Sequence, residues 1–462
     1  MGAGFSTVTP PPSQVSATSV AQAVWSYTPR SLTDIQSLVS AIQNNNPSML
    51  STLPDILYVP APYYAGQVSA TQVAAFLDNL VLNYGLVGPV AAAIVASPYG
   101  LWSTNFVTQV IPYLSATTIV QLLVSGQMDA NHDQLVLYTL AQNYYYNKWL
   151  QVVTYNAPTS VTFSTNATLS SNVLIAQNIT VASGVTVTCG TTTCFFVAQS
   201  FNNYGTIVSY GATGAPSPGG DIGNGGTGGG GIVVIAVTAV LGTLNVAGSP
   251  GGVGSSGASA SLSGGGGGAG VFYVVTGVVV PVGGSGAGLA GKAGANGGGG
   301  GGGGDNFYYG GNGGGATLNA FASANSMLTY IMQGLSDWWL INMLEKAPSS
   351  TTPLVHFYGS GGGSGGGVYN AGYPGGGGGG GGGGEVVVYG FYVVSGNIIA
   401  TGGIGGSSPD YGGGGGGGGL VFVFYGATSG SVTANVAGGA GQSGGAAGAP
   451  GTAYIAKVTV NG

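Results

Sequence analysis

The sequence predicts an α+β multidomain chain, with an N-terminal α-helical domain followed by a glycine-rich β-solenoid or sandwich. Polyglycine II-like helices and one helical insertion belong to the second part. Three observations support this fold class. The first third of the chain has apolar residues at helical spacing, and the remainder alternates like strands. Glycine runs, the longest being Gly375–Gly384, directly precede apolar strands.

The composition is almost free of charge. Only 3% of the 462 residues are charged, whereas an ordinary soluble domain has about a quarter. Five cations in the whole chain cannot form a basic patch, so we expect no nucleic-acid binding. A surface rich in Ser, Thr, Asn, Gly and Tyr suits an extracellular particle. The segment Met1–Pro10 does not match a secretory signal, and this combination is typical of proteins that reach the exterior as part of a virion.

The N-terminal third divides into an extended arm, 1–30, and an α-helical domain, 31–157, expected to mediate particle attachment or oligomerisation. Apolar residues recur at helical spacing in four of its segments. These segments are Ser31–Ile42, Ser69–Leu82, Asn105–Val124 and Asp129–Val153. The apolar stretch Leu86–Ala96 is shorter than the ~20 residues that cross a bilayer, so we expect a buried helix and no stable membrane span.

From residue 158 the period changes to two, and a longer repeat begins. Each unit has an apolar strand, a tight glycine turn, a second short strand and a glycine-rich excursion. We expect the apolar strands to begin near Cys194, Ile232, Val271, Glu385, Leu420 and Ala453. The repeats fill 158–315 and 348–462. A helical pattern over 316–347 separates them as an insertion.

The glycine runs are predicted to be ordered elements rather than linkers. Extended helices with three residues per turn have no internal hydrogen bonds, so every amide can bond a neighbour, and glycine allows close packing. Ordering each residue costs ~1–2 kcal/mol. Hydrogen bonds about offset that cost. The flanking strands contribute the remainder through burial of apolar side chains.

Cys189 and Cys194 are the only cysteines, and four residues separate them between two strand-like runs. This spacing favours a disulfide-closed hairpin in an oxidising setting or in a thermophile. Two free buried thiols are the alternative.

Candidate catalytic groups are few, and we expect no enzyme, no cofactor and no metal site. The chain has two histidines, His132 and His356, and two glutamates, Glu345 and Glu385, and no ligand or carboxylate pair stands out among them. Asp129–Gln134 resembles the start of a calcium loop, but the glycine and glutamate that such a loop needs are missing. A helix N-terminus capped by Asp129 is the favoured interpretation.

Tyrosines at the margins of the glycine runs are the candidate receptor contacts. They combine an apolar ring with a hydroxyl, which suits stacking on sugars or burial in a partner surface. The residues are Tyr308, Tyr309, Tyr369, Tyr373 and Tyr411. The alternative is that these rings only cap the margin of the repeats.

The pattern of a glycine run, an apolar strand and the sequence Ser395–Gly403 resembles the glycine-rich C-terminal regions of viral tail-fibre and spike adhesins. Val24–Thr33 also looks like a short sequence near the start of viral fibre domains. The resemblance covers about 260 residues, through composition and rhythm. It implies polyglycine helices, a β-solenoid and host binding by loops. The low charge and the tyrosine content are similar to proteins of viruses that infect hyperthermophilic archaea.

We therefore expect a virion surface protein that mediates attachment to a host cell. Its partners would be other virion proteins, through the N-terminal domain, and a host surface glycan or protein. A homo-oligomer, with a trimer favoured, would cover exposed strand edges. The runner-up is a cellular extracellular filament or surface-layer subunit without a receptor. A third hypothesis is that the chain is an ice- or surface-binding module.

Overall fold

The computed structural model describes eleven stretches of the chain. They are residues 70–88, 90–91, 109–189, 193–211, 224–253, 270–271, 323–348, 358–359, 377–408, 412–428 and 430–462. The chain divides into two compact units. The first unit comprises Met1–Lys148 and Ser336–Thr351, and the second comprises Trp149–Leu335 and Thr352–Gly462.

The helices described by the structure fall mainly in the first unit. They are α1 (Ala70–Leu82), a 3₁₀ turn (Ile111–Tyr113), α2 (Ala116–Val124), α3 (Ala130–Gln142), α4 (Tyr146–Val153) and α5 (Ala324–Leu344). The last two contain residues of both units. Ser115 begins α2 as its N-cap, since its side chain accepts a hydrogen bond from the Thr118 amide at 3.1 Å. The expected arm, 1–30, lies outside the described residues.

The second unit alternates long and short strands along the chain. The long strands are β1 (Ser160–Phe163), β3 (Val173–Val181), β5 (Thr193–Asn203), β7 (Gly231–Val240), β11 (Glu385–Val393), β13 (Leu420–Thr428) and β15 (Thr452–Lys457). The short strands are β2 (Ala167–Thr168), β4 (Thr186–Thr188), β6 (Thr206–Val208), β8 (Gly242–Asn245), β12 (Gly396–Ile399) and β14 (Val432–Asn435). A separate antiparallel pair joins β9 (Gly270–Val271) to β10 (Tyr358–Gly359).

The long strands form a seven-stranded parallel sheet in the order β1-β3-β5-β7-β11-β13-β15. The short strands form a six-stranded parallel sheet in the order β14-β12-β8-β6-β4-β2. Each sheet therefore follows the order of the chain, and each long strand before β15 is followed by a short strand of the other sheet. The expected fold class, which included a β-solenoid, is wrong, because the chain forms two parallel sheets with few helices in an α/β-like layout. The sequence period identifies strands, but it does not say which strands share a sheet.

An apolar core joins the two sheets. The long strands contribute alternate residues such as Phe196, Val234 and Val388, and the short strands contribute their buried positions, such as Ile207 and Leu244. All five side chains are completely buried. The alternation of β-branched and aromatic residues along each strand therefore places one set of side chains in a shared core.

The glycine segments form a hydrogen-bonded layer next to this core. Within the long run, the amides of Gly378, Gly381 and Gly384 donate in turn to the carbonyls of Gly252, Ser249 and Val246 at 2.8–3.0 Å. The amides of Gly380 and Gly383 donate instead to Gly414 and Gly417. Hydrogen bonds to one neighbour thus recur every third residue, which is the repeat of an extended three-residue helix. Gly377–Gly384 is buried throughout.

A side chain would not fit in this layer. A Cβ atom at Gly381 would overlap the Thr227 carbonyl oxygen, and one at Gly380 would overlap the Gly403 carbonyl oxygen. Glycine is therefore required for close approach of three backbones, as the composition predicted for this run.

Candidate functional site

The solvent side of the six-stranded sheet carries two rows of side chains that run across the strands. The first row consists of Thr186, Thr206, Thr243, Asn397 and Thr433. The second consists of Thr168, Thr188, Val208, Asn245, Ile399 and Asn435. All of these residues are half-buried or exposed. We call the two rows together the hydroxyl–amide face.

The alternation of side chains along each short strand produces this face. In β4, β6 and β8 the middle or inward position is apolar and buried, at Val187, Ile207 and Leu244. The residues before and after it point to the opposite side of the sheet. Threonine suits such a position because its β-branched side chain favours strands and its hydroxyl remains hydrated.

The parallel register gives the face a regular spacing. Thr206 pairs with both Thr186 and Thr243, so hydroxyl groups recur on successive strands. Neighbouring strands lie about 4.8 Å apart, and the two rows are separated by two residues of strand, or about 6.6 Å. The face is thus a two-dimensional array of hydrogen-bonding groups.

The hydrogen bonds within the face differ from one end to the other. The Thr433 hydroxyl donates to Asn397 Oδ1 at 3.1 Å, and Asn245 Oδ1 accepts from the Ala247 amide at 3.0 Å. The hydroxyls of Thr186, Thr206 and Thr243 make no hydrogen bond to any other residue that the structure describes. These three hydroxyls are therefore available to a ligand, as donors and as acceptors. The two rows contain no charged residue.

The predicted receptor contacts cannot be placed beside this face. Tyr308, Tyr309, Tyr369, Tyr373 and Tyr411 all lie outside the described residues. Other tyrosines, which the sequence did not single out, are exposed in the second unit. They are Tyr155, Tyr204, Tyr210, Tyr392 and Tyr454.

Sequence reasoning also missed the hydroxyl–amide face. Its signal was present in the similar segments that follow Gly205, Gly242 and Gly396, each of which continues with Thr or Asn and then a buried aliphatic residue. The register that aligns these polar residues requires knowledge of the strand order.

A disulfide bond joins Cys189 to Cys194, with their Cα atoms 5.8 Å apart. Cys189 directly follows β4 of the six-stranded sheet, and Cys194 lies in β5 of the seven-stranded sheet. Both side chains belong to the core cluster. The bond therefore ties one end of the hydroxyl–amide face to the other sheet.

The first unit contains a buried polar cluster around Asp133. Lys346 Nζ contacts Asp133 Oδ2 and donates to the Leu123 carbonyl at 2.7 Å. Asp337 accepts hydrogen bonds from Gln134 at 2.7 Å and from the Tyr138 hydroxyl at 2.8 Å. Burial raises the pKa of Asp133 to about 6, although Lys346 acts in the opposite direction. These contacts fasten the end of α5 to α2 and α3, which is a structural role.

No metal centre is found in the described part of the chain, where no three His, Cys, Asp or Glu side chains come together. Asp129, the start of the calcium-like pattern, accepts hydrogen bonds from the Asn131 and His132 amides and so caps α3.

Glu385 stands at the start of β11, directly after the long glycine run. Its register partners are Gly231 and Leu420, and the side chain is almost completely buried. Burial raises the pKa of its carboxyl well above the usual 4.5. The seven-stranded sheet thus favours a neutral carboxylic acid at this position.

Comparisons with known proteins add no relative, since no family model, no curated protein and no solved structure matches the chain. Within the described residues, no helix is both long enough and apolar enough to span a bilayer.

Proposed function

We propose that the protein is a structural protein of a virion surface, a tail fibre or spike, that attaches the particle to a host cell. The hydroxyl–amide face carries this proposal, because it is an extended array of hydrogen-bonding groups rather than a concave site. Exposed hydroxyls and amides on a regular lattice are suited to contact with another surface. In this proposal the first unit binds other virion proteins, and the chain assembles as a homo-oligomer, with a trimer favoured.

The second unit supports the proposal through its construction. A surface that holds a particle on a cell needs a rigid scaffold. The glycine layer, the shared core and the disulfide all restrict movement of the short strands. The face is therefore held in its binding arrangement before a partner arrives, which lowers the entropy lost on binding.

A cellular extracellular filament or surface-layer subunit is the second candidate, and one observation favours it. Among the strands that the structure describes, β15 and β14 each pair with a neighbour on one side only. On β15, Tyr454 and Ile455 are exposed. Such an edge is a template for a strand from another copy, which would build a filament.

Immunoelectron microscopy with antibodies against the second unit tests both candidates. Cultures that express the chain should show label on the surface of released particles. Label along filaments or the cell envelope, with none on particles, would replace the first proposal by the second. Label confined to the cell interior would contradict both.

A further inference from the structure

The available hydroxyls of the six-stranded sheet have a chemistry that selects among partners. Thr186, Thr206 and Thr243 each present one donor, an acceptor oxygen and a methyl group at adjacent positions of a parallel ladder. None of these hydroxyls bonds to another residue that the structure describes, and each strand is held by its backbone pairing and by its buried aliphatic residue. Their hydrogen-bonding capacity is therefore directed outward.

The charge of the chain excludes most polymeric partners from this face. The two rows carry no charge, and the chain as a whole has a net charge of −6. Nucleic acids and anionic glycans need cations to replace their counterions, and this face has none. A cationic partner would find no carboxylate in the rows. A neutral partner is the one that fits.

The spacing of the hydroxyl groups on the face further restricts the class of neutral partner. Hydroxyls about 4.8 Å apart suit a partner that presents donors and acceptors at short, regular intervals, as a chain of sugar rings does. The apolar members of the second row, Val208 and Ile399, offer surface for the C–H faces of such rings. A protein segment would instead require pockets for its side chains, and the rows are a repeated surface of small groups.

We infer that the hydroxyl–amide face binds a neutral, hydroxyl-rich polysaccharide that lies across the strands of the six-stranded sheet. The inference rests on the proposed attachment function and names the class of host surface molecule. The chain of sugar rings runs along the row Thr186–Thr206–Thr243, with one hydroxyl contact on each strand. Thr433 and Asn397 contribute less, because their side chains already bond each other.

Affinity electrophoresis of the full chain tests the inference in native gels that contain β-glucan, mannan, dextran or, as an anionic control, alginate. The test variant is Thr206→Val with Thr243→Val, which removes two neighbouring hydroxyls and keeps the β-branched shape. The matched control is Thr162→Val with Thr180→Val, because these threonines are register partners in the seven-stranded sheet. A second variant, Thr206→Ser with Thr243→Ser, restores the hydroxyls without the methyl groups.

We expect at least one neutral polysaccharide to retard the wild-type chain. Its apparent affinity should fall about tenfold in the double Val variant, stay unchanged in the control, and return in the double Ser variant. No retardation by any neutral polysaccharide, equal loss in the control, or retardation only by alginate would overturn the inference. The inference would also be overturned if the wild-type chain altered the growth of ice crystals and the double Val variant did not. The face would then bind ordered water rather than sugar.

The result can be separated from that of the attachment test. Labelled particles without binding to polysaccharide would leave the attachment proposal standing and overturn the inference. Binding to polysaccharide together with label on the cell envelope would support the binding inference and overturn the proposal that the chain attaches a virion to its host.

Discussion

The central strands β5, β7, β11 and β13 of the seven-stranded sheet bury apolar residues on both faces, whereas the six-stranded sheet is apolar on one face only. In the larger sheet Val234 and Val388 point into the shared core, and their neighbours Val233 and Tyr389 on the opposite face are also buried. In the smaller sheet the residues opposite the core are Thr and Asn with two aliphatic exceptions. Parallel sheets are usually apolar on both faces, so the polar face of the smaller sheet is the unusual one.

Strand length explains how the chain maintains this difference. The central long strands have 9–11 residues, and the short strands have 2–4. The strands β5, β7, β11 and β13 each bury several side chains on both faces, but each short strand needs only one or two inward residues to stay attached. Stability is therefore concentrated in the larger sheet and the glycine layer, and the outer positions of the smaller sheet contribute little to it.

The largest effect is expected in the glycine layer, on which both sheets depend. Gly381→Ala should lower the free energy of unfolding by about 4 kcal/mol, because the added Cβ would overlap the Thr227 carbonyl in a layer that cannot expand. Urea denaturation measures the loss. The control is Gly462→Ala, since a Cβ at Gly462 meets no atom within 4 Å. A loss below 1 kcal/mol at Gly381 would show that the layer is loosely packed.

The disulfide bond between the two sheets should contribute less to the free energy of unfolding. Replacing Cys189 and Cys194 together by Ala should cost about 2 kcal/mol, because the disulfide closes a short loop in the unfolded chain. Denaturation of the wild type with and without a reducing agent provides the comparison. The reductant should lower the wild-type midpoint and leave the double variant unchanged. If the reductant also lowered the midpoint of the double variant, the loss in the wild type could not be assigned to the disulfide.

The outer faces of the two sheets should respond differently to the same substitution. Val233→Thr buries a hydroxyl in the larger sheet and should cost about 2 kcal/mol. Val208→Thr adds a hydroxyl to the open face of the smaller sheet and should change stability by less than about 0.5 kcal/mol. The two variants serve as controls for each other in one denaturation series. Equal losses would mean that the hydroxyl–amide face is covered rather than open.

The strands themselves could be predicted from the sequence. Glu385 and Leu420 begin β11 and β13 as expected, and Cys194 and Ile232 lie one residue inside β5 and β7. Their β-branched and aromatic runs after glycine give a strong local signal. The division into two sheets could not be predicted, because a strand's own pattern does not identify its neighbours. The fold class was wrong for this reason.

The candidate site shows the same division between local and long-range information. The candidate tyrosines were chosen because an aromatic ring beside a glycine run is conspicuous in the sequence. Thr206 and Thr243 are 37 positions apart and individually ordinary, and only the pairing of β6 with β8 brings them together. A site made of repeated small residues is thus visible only once the register is known.

The smallest expected effect on stability is a pH dependence that arises from Glu385, on the outer face of the larger sheet. Burial raises its pKa well above 4.5, so the folded chain prefers the protonated carboxyl. The resulting stability is present below pH 4.5 and is lost as the pH rises through the folded pKa. Glu385→Gln, which is neutral throughout, should match the wild type near pH 4. As the pH rises, the wild-type urea midpoint should fall relative to that of the variant. A constant difference between the two midpoints from pH 4 to pH 9 would mean that the carboxyl is solvated, and the larger sheet would then be open at that end.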